Sequence, residues 1–172
     1  MTIYTLHPES LEFRHQSWFS PAYRERTLAF MKEQGWIHSI CDEPQSGEGS
    51  VPVVLEATDP AYTIVRMHGR NAAGWNQGGK PNWREVRYLY RYNREELEEW
   101  KRWLAELEEQ TGRIGVIFNN NSGGDAAGNA KEMMSLLGLR TPEGRDPLEP
   151  NADPAPDAEQ IDLFDLPTGE RK

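Results

Sequence analysis

Short apolar runs alternate along this chain with longer segments of helical periodicity. Runs rich in β-branched and other apolar residues predict four buried strands, over 11–15, 36–41, 62–68 and 114–118. Segments with apolar residues three or four positions apart predict three helices, over 21–34, 94–110 and 125–137. Strands that alternate with helices in this way predict an α/β fold, in which right-handed crossovers join parallel strands.

The helix boundaries carry their own signals. Ser20 is predicted to cap the first helix, which should start at Pro21 and end at Gly35. Asn93 is predicted to cap the second helix, with Glu96 placed to complete a capping box. The apolar stripe of that helix consists of Leu97, Trp100, Leu104 and Leu107.

Composition places the acidity mainly in one segment. Residues 141–172 contain nine acidic and three basic residues, which is −6 of the net charge of −9, and six of the twelve prolines. This aperiodic segment is predicted to be a disordered tail, and residues 1–140 to be the folded domain. One cysteine, no apolar run of membrane-spanning length and no secretory signal predict a cytoplasmic protein without a membrane partner.

Polar residues occur at the carboxyl end of each predicted strand. In the third strand, Ile64 and Val65 give way to Arg66 and His68, which share one face, before Gly69 breaks the strand. The carboxyl ends of parallel strands lie at one face of an α/β fold, where ligands bind. A buried ion-pair network is the alternative to a ligand site there. The side chains predicted to gather are Glu12, Arg14, His15, Asp42, Arg66, His68, Arg70, Asn71, Asn119 and Asn121.

Several blocks of the sequence, in order and spacing, resemble the YecE-like family, also called domain of unknown function 72. They lie between about residue 10 and residue 139 and comprise 11–18, 42–44, 65–71, 88–92, 95–97, 118–121 and 129–130. The resemblance implies a TIM-type barrel. Members of the family are substantially longer, and the matched blocks belong to the later part of that barrel.

The four predicted strands are half the number that a TIM-type barrel needs. The chain is therefore expected to be a partial barrel of about four parallel β/α units, the C-terminal half. An open half-barrel exposes strand edges and apolar faces. It should self-associate, pair with a separate N-terminal half or be unstable, and a truncated gene product is an alternative origin.

The residue types at the predicted site indicate an anionic ligand. Arg66 and Arg70, with the Gly123-Gly124 turn before the last helix, suit a phosphate group. Arginines and the backbone N–H groups at a helix start both bind phosphate, and TIM-type barrels often hold phosphate after their last two strands. The alternative is that the glycines only turn the chain and cap the helix.

If the site is catalytic, His68 or His15 is expected to be the general acid or base, oriented by Glu12 or Asp42. The same four side chains could ligate a metal. No metal-binding spacing such as HExxH is present, however, and neither a metal nor a cofactor is predicted. Cys41 ends an apolar strand and is interpreted as a core residue rather than a nucleophile.

Aromatic residues near this end could stack on a base or a sugar ring, or could pack the loops onto the barrel. Trp18 is a candidate ligand contact, and the others are Trp75, Trp83, Tyr90 and Tyr92. The Gly-rich loop over 71–83 suits a mobile lid.

A pentapeptide in the tail resembles the motif by which bacterial proteins bind the DNA sliding clamp. Two adjacent apolar anchors in an acidic segment can fill a groove, while a glutamine sets the register by hydrogen bonds. Docking of the segment onto its own barrel is the alternative. The pentapeptide is Gln160-Ile161-Asp162-Leu163-Phe164.

Two functions follow from these observations. The first is a barrel that binds or acts on a phosphate-bearing ligand, either a nucleotide or a nucleic acid, and is recruited to replication or repair by its tail. The second is a non-catalytic accessory or truncated protein whose tail motif alone mediates partner binding. The sequence does not decide whether the chain is an enzyme.

Overall fold

The described part of the chain forms an α/β fold with one four-stranded parallel sheet. The computed structural model describes residues 9–75, 81–121, 123–141 and 144–148. The strands are β1 (Ser10–Leu11), β2 (Ile37–Asp42), β3 (Thr63–Met67) and β4 (Ile114–Phe118). They pair in sequence order, and each pairing is parallel. The predicted α/β class is therefore confirmed, and the sequential strand order is consistent with a partial barrel.

Five helices lie within the described ranges. They are α1 (Arg24–Gln34), α2 (Ala72–Trp75), α3 (Trp83–Arg87), α4 (Arg94–Glu108) and α5 (Asp125–Leu136). Of these, α4 and α5 pack against one face of the sheet. A 3-10 turn over Gln16–Phe19 precedes α1. Among the residues that the structure describes, no helix is long and apolar enough to span a bilayer.

The predicted helix signals hold for α4 and in part for α1. At α4, Asn93 accepts the N–H of Glu96 and Glu96 accepts the N–H of Asn93, as a capping box requires. Gly35 ends α1 in the left-handed region at φ 68°, which favours glycine. Ser20, however, ends the 3-10 turn, and its carbonyl accepts the N–H of Arg24. The first helix therefore begins at Arg24, three residues later than predicted.

The first strand is shorter than the predicted strand over 11–15. Among the described residues of this segment, Ser10 and Leu11 pair with β2. The chain then bends into the 3-10 turn, where the N–H of Gln16 donates to the carbonyl of Glu48 at 3.0 Å. Glu12 and the residues after it consequently leave the sheet at the carboxyl end of β1.

One face of the sheet holds the main core. Ile40 lies opposite Val65, and Val65 lies opposite Val116, so these side chains share a face. That face packs against α4 and α5, and the predicted apolar stripe of α4 is buried in it. The buried core residues are Ile40, Val65, Met67, Tyr92, Leu97, Trp100, Leu104, Leu107 and Met133.

The other face of the sheet, which we call the inner face, is polar at one end and exposed at β4. Cys41 lies opposite Arg66, and Arg66 lies opposite Ile117. Cys41 is buried, whereas Ile117 is 47% exposed. The inner face is therefore covered near β2 and uncovered at the β4 edge, as expected for a sheet that does not close within the described residues.

Asn129 of α5 fastens the chain that leads into α4. Its Oδ1 accepts the N–H of Tyr92 at 3.0 Å, and its Nδ2 donates to the carbonyl of Tyr92 at 2.9 Å. Asn120 Nδ2 donates to the same Oδ1 at 2.9 Å. Because all three residues are buried, no solvent is available to replace these hydrogen bonds.

Replacement of Asn129 by alanine is expected to lower the free energy of unfolding by roughly 2–4 kcal/mol, because two buried backbone groups of Tyr92 lose their partners. Asn82→Ala is the matched control, since Asn82 is exposed and makes no capping bond. Urea unfolding of both variants measures the difference. A loss of less than 0.5 kcal/mol, roughly the effect of a neutral surface substitution, would contradict this role for Asn129.

Candidate functional site

Five polar residues meet at the carboxyl end of the sheet, and Glu12 is their centre. Arg14 Nη1 donates to Glu12 Oε1 at 2.6 Å, and Arg66 Nη1 donates to Glu12 Oε2. His68 Nε2 lies 3.7 Å from the same Oε2. Asn119 Nδ2 donates to His68 Nδ1 at 3.0 Å. We call these residues the Glu12 cluster: Glu12, Arg14, Arg66, His68 and Asn119.

The cluster assembles because its members come from the ends of neighbouring parallel strands. Glu12 follows β1, Arg66 lies near the end of β3, and Asn119 follows β4. Arg66 and His68 are two residues apart, so they share the inner face, as predicted from the sequence. The long separation along the chain, 54 residues between Glu12 and Arg66, is closed only by strand pairing.

The charges of the cluster favour an ionised carboxylate beside a neutral imidazole. Burial favours the protonated acid, but the nearby His68 and the hydrogen bond and charge of Arg66 outweigh it and lower the pKa of Glu12 to about 2. Burial lowers the pKa of His68, with Glu12 opposing the shift. In this orientation of its amide, Asn119 donates to Nδ1, so the neutral imidazole carries its proton on Nε2.

Cys41 belongs to the same inner face. Its Sγ, a nitrogen of His68 and a carboxylate oxygen of Glu12 lie within 4.8 Å of one another. The interpretation of Cys41 as a core residue explains its burial but misses these neighbours. The alternation of side chains along β2 and β3 was the available signal, because Cys41 lies opposite Arg66.

Glu43 is a buried acid next to the cluster that the sequence interpretation did not select. Its Oε1 accepts the N–H of Val51 at 2.6 Å, and its Oε2 has no hydrogen-bond partner. Arg14 Nη1 is 3.9 Å from Oε2. Burial raises the pKa of Glu43 to about 7, although Val51 and Arg14 oppose the shift. The sequence did contain a signal for this residue, because Glu43 is a second acid, next to Asp42, directly after a buried strand.

Asp42 and Arg70 form a separate network on the helix-covered face of the sheet. Arg70 Nε lies 3.0 Å from both carboxylate oxygens of Asp42, and Trp100 Nε1 donates to Asp42 Oδ2 at 2.6 Å. Arg70 Nη2 also donates to Glu99 Oε2 at 2.9 Å. Burial raises the pKa of Asp42, and the bonds from Arg70 and Trp100 oppose the shift. These two residues thus join β2 to α4.

The sequence analysis expected Asp42 and Arg70 to lie with His68. The backbone explains why they do not. Asp42 lies opposite Met67, whose side chain is in the core, so the alternation turns Asp42 toward α4. Gly69 has a φ of 91°, and a Cβ there would lie 2.5 Å from Tyr90 Cβ. This turn ends the alternation after His68 and sends Arg70 to Asp42.

Four other predicted site residues make local contacts instead. His15 contacts Ser17 and Glu48, and its Nδ1 lies 2.8 Å from Ser17 Oγ. Asn71 holds the loop together, accepting the N–H of Gly74 and donating to the carbonyls of Val86 and Leu89. The remaining two are Trp18, which is 51% exposed with its ring 5.0 Å from that of Phe13, and Asn121, whose carbonyl accepts the N–H of Gly124.

The glycine turn before α5 serves as a cap of that helix. Gly124 caps α5 with a φ of 78°. Its role in the structure is thus the one that the sequence analysis gave as the alternative to phosphate binding, a turn that caps the helix. Asp125 occupies the first turn of α5, where its charge already complements the helix dipole. The ion pairs of the two arginines are with other groups, since Arg66 pairs with Glu12 and Arg70 with Asp42. The candidate anion site is therefore Arg14 with Arg66.

Aromatic residues cover the cluster. The rings of Tyr88 and Trp75 lie 5.8 and 6.3 Å from the ring of His68. Trp75 is held in turn by Arg87, whose guanidinium carbon lies 3.7 Å from the ring centroid. Tyr92 is a core residue. The lid predicted over 71–83 includes residues outside the description, 76–80, and stays a prediction.

The tail pentapeptide over 160–164 also lies outside the described residues. Its interpretation as a clamp-binding motif rests on the sequence alone.

Comparisons with known proteins give one consistent result. The family profile described as "Protein of unknown function DUF72" matches residues 4–154. The UPF0759 protein YunF of Bacillus subtilis (strain 168) is 64% identical over 134 residues, which is 77% of this chain and 47% of that protein.

Two solved structures are similar in fold and sequence. A crystal structure of a DUF72 family protein from Enterococcus faecalis V583 has a TM-score of 0.75 and 40% identity, and covers 80% of this chain and 50% of that one. A DUF72 family protein from Thermotoga maritima MSB8 has a TM-score of 0.66 and 32% identity, over 77% and 47%. The chain thus spans about half the length of the relatives that it matches.

Glu43→Gln is expected to stabilise the protein by about 1–3 kcal/mol at pH 8 and to have little effect at pH 4. The pKa of Glu43 is raised from 4.5 to about 7, so between these values the folded state binds more protons than the unfolded state. The stability that the protonated acid provides is therefore lost as the pH rises through this window. Glutamine resembles the protonated acid and does not titrate.

Urea unfolding at several pH values measures this effect. Glu48→Gln is the control, because the Glu48 side chain is 84% exposed. A stability difference between Glu43→Gln and the native chain that does not change with pH would show that the pKa of Glu43 is the same in the folded and unfolded states.

Proposed function

The chain belongs to the DUF72 family, and we propose that it binds a phosphate-bearing ligand at the Glu12 cluster. The observation that carries this proposal is the convergence of two guanidinium groups, from Arg14 and Arg66, on a single carboxylate. Glu12 balances only one of the two positive charges. While Glu43, the second acid near Arg14, is protonated, this surplus charge and a neutral His68 make the cluster a site for an anion.

Both arginines retain donors for a ligand. A guanidinium has five N–H donors, and each arginine uses only part of them on Glu12. The Arg14 and Arg66 side chains are 45% and 32% exposed, so the unused donors are accessible from the open inner face. Planar forks of this kind match the oxygens of a phosphate.

A nucleotide or a single-stranded nucleic acid fits this surface best. Trp18 lines one groove with Glu12 and Arg14, and about half of its surface is exposed. A base stacked on the Trp18 ring would place its phosphate toward the two arginines. The body of the chain is close to neutral, so recognition would rest on this local charge rather than on a broad basic surface.

For a reaction at the bound phosphate, we propose His68 as the general acid or base. Its imidazole is neutral at neutral pH, is oriented by Asn119 and faces the carboxylate of Glu12. Glu12 would stabilise the imidazolium that forms when His68 takes a proton.

We also propose that the described fold is half of a TIM-type barrel. Its four sequential parallel strands are half of the eight that such a barrel needs, and the relatives are about twice the matched length. The open inner face at Ile117 would be covered by the other half, in the same or another chain, or by a second copy.

Isothermal titration with inorganic phosphate and with a nucleoside monophosphate tests the site. Arg66→Gln is expected to weaken the binding of both ligands roughly tenfold to a hundredfold, because a hydrogen bond to a charged group is worth about 1.5–3 kcal/mol. Trp18→Ala should weaken the binding of the nucleotide but not that of inorganic phosphate.

Arg94→Gln is the matched control for the arginine, because Arg94 pairs with Glu98 on the exposed face of α4. Circular dichroism verifies that each variant is folded. Binding that is absent in the native chain, or that the control loses as much as Arg66→Gln, would refute the phosphate site.

The tail supports a second function, recruitment to the DNA sliding clamp. Leu163 and Phe164 are adjacent apolar residues in a segment of net negative charge, and the motif begins with Gln160. Such an anchor pair could fill a groove on a partner. If the barrel has no activity, this motif alone would carry the function of an accessory protein.

A labelled peptide of residues 155–169 is expected to bind purified bacterial sliding clamp, and the double substitution Leu163→Ala with Phe164→Ala to weaken binding at least tenfold, because the two side chains provide most of the buried apolar area. Fluorescence anisotropy measures both affinities. Equal affinity of the two peptides would remove the clamp from the proposal.

A further inference from the structure

Three potential metal ligands of different chemistry meet on the inner face of the sheet. They are the carboxylate of Glu12, the thiol of Cys41 and the imidazole of His68, and their ligand atoms lie within 4.8 Å of one another. Each comes from a different strand or strand end, so the parallel sheet holds them at one point. Carboxylate, thiolate and imidazole are all ligands of zinc-type ions.

The imidazole provides an independent sign of a missing partner. His68 is 1% exposed, and its Nε2 is a buried atom without a hydrogen-bond partner. The carboxylate oxygen Oε2 of Glu12 is 3.7 Å away from this atom, beyond hydrogen-bond distance. Buried polar atoms are normally paired, and an unpaired one commonly marks an unseen ion or water or a catalytic role.

From these observations we propose that Glu12, Cys41 and His68 bind a divalent transition-metal ion of the zinc type, with one coordination position open. The dimensions suit this ion: bonds of about 2.0–2.3 Å in a tetrahedral site separate ligand atoms by about 3.3–3.8 Å. For a nitrogen and an oxygen ligand the separation is about 3.3–3.5 Å, and the Nε2–Oε2 distance of 3.7 Å is slightly longer than this range. Binding of the ion would therefore draw these two atoms and Cys41 Sγ, which lies within 4.8 Å of a ligand atom of each residue, closer together.

The surrounding hydrogen bonds can serve the bound state. Glu12 Oε2 accepts from Arg66 with one lone pair and retains another for the ion. Coordination through Nε2 places the imidazole proton on Nδ1. Asn119, with its amide turned over, then accepts a hydrogen bond from Nδ1–H through Oδ1. Asn119 thus becomes a positioning residue for the ligand.

The charges connect this ion to the proposed phosphate ligand. A divalent ion with one carboxylate and one thiolate is neutral, and Arg14 and Arg66 then leave the surroundings positive. The open position therefore favours an anionic oxygen, such as that of a phosphate. This deepens the proposed function, although metal binding itself does not depend on it.

Titration of the full chain with Co(II), in buffer without phosphate, tests the metal site. The folded protein is expected to bind one equivalent and to show thiolate-to-cobalt charge-transfer absorption in the near ultraviolet. Cys41 is the only cysteine in the chain, so this absorption identifies its ligand without ambiguity. Cys41→Ser should abolish the charge-transfer absorption, and His68→Gln should weaken Co(II) binding at least tenfold.

His15→Gln is the matched control and should leave the spectrum unchanged, because the described contacts of the His15 imidazole are with Ser17 and Glu48, outside the three ligands. Folding of each variant is checked by circular dichroism. The proposal is overturned if the folded native chain shows no charge-transfer absorption, or if the absorption persists in Cys41→Ser. Phosphate binding measured after chelation separates the two ideas: its retention without cobalt absorption would reject the metal site alone.

Discussion

The alternation of side chains along β3 is the constraint on which the rest of the structure depends. Val65 and Met67 turn toward α4 and α5 and are fully buried, while Arg66 and His68 turn to the inner face. Because parallel pairing aligns the neighbouring strands, the same alternation divides β2 and β4 into an apolar face and a face that carries Cys41 and the polar cluster. A register shift of one residue would bury an arginine in the core and expose the residues that hold the fold together.

The two faces of the sheet each hold a group of buried charges, and the two groups differ in how completely they are hydrogen-bonded. The Asp42 network is saturated: its carboxylate accepts from Arg70 and Trp100, so every charge has a partner and the group joins the sheet to α4. The inner face is not saturated, since His68 Nε2 and Glu43 Oε2 lack hydrogen-bond partners. Natural structures leave few buried polar atoms unpaired, because each one costs about 1–3 kcal/mol. The unsaturated group is therefore the better candidate for a ligand site.

Sequence reasoning succeeded where local chemistry decides the structure. The capping box at Asn93 and Glu96 and the glycine that ends α1 were predicted because each signal acts within one helical turn. It was less successful at β1 and at Ser20, where the chain bends into a 3-10 turn whose bonds include Gln16 to Glu48, 32 residues apart. Contacts between residues so far apart compete with local propensity, and their outcome cannot be predicted from a short segment of sequence.

The sequence by itself determined the α/β class, the buried stripe of α4 and the pairing of Arg66 with His68 on one face, because these follow from periodicities of 3.6 and 2. Only the tertiary structure decided which polar residues meet. The register sends Asp42 to the helices, and the positive φ of Gly69 turns Arg70 after it, whereas Cys41 joins Glu12 and His68. Such encounters depend on strand pairing between distant segments, and no local pattern encodes the distance between their side chains.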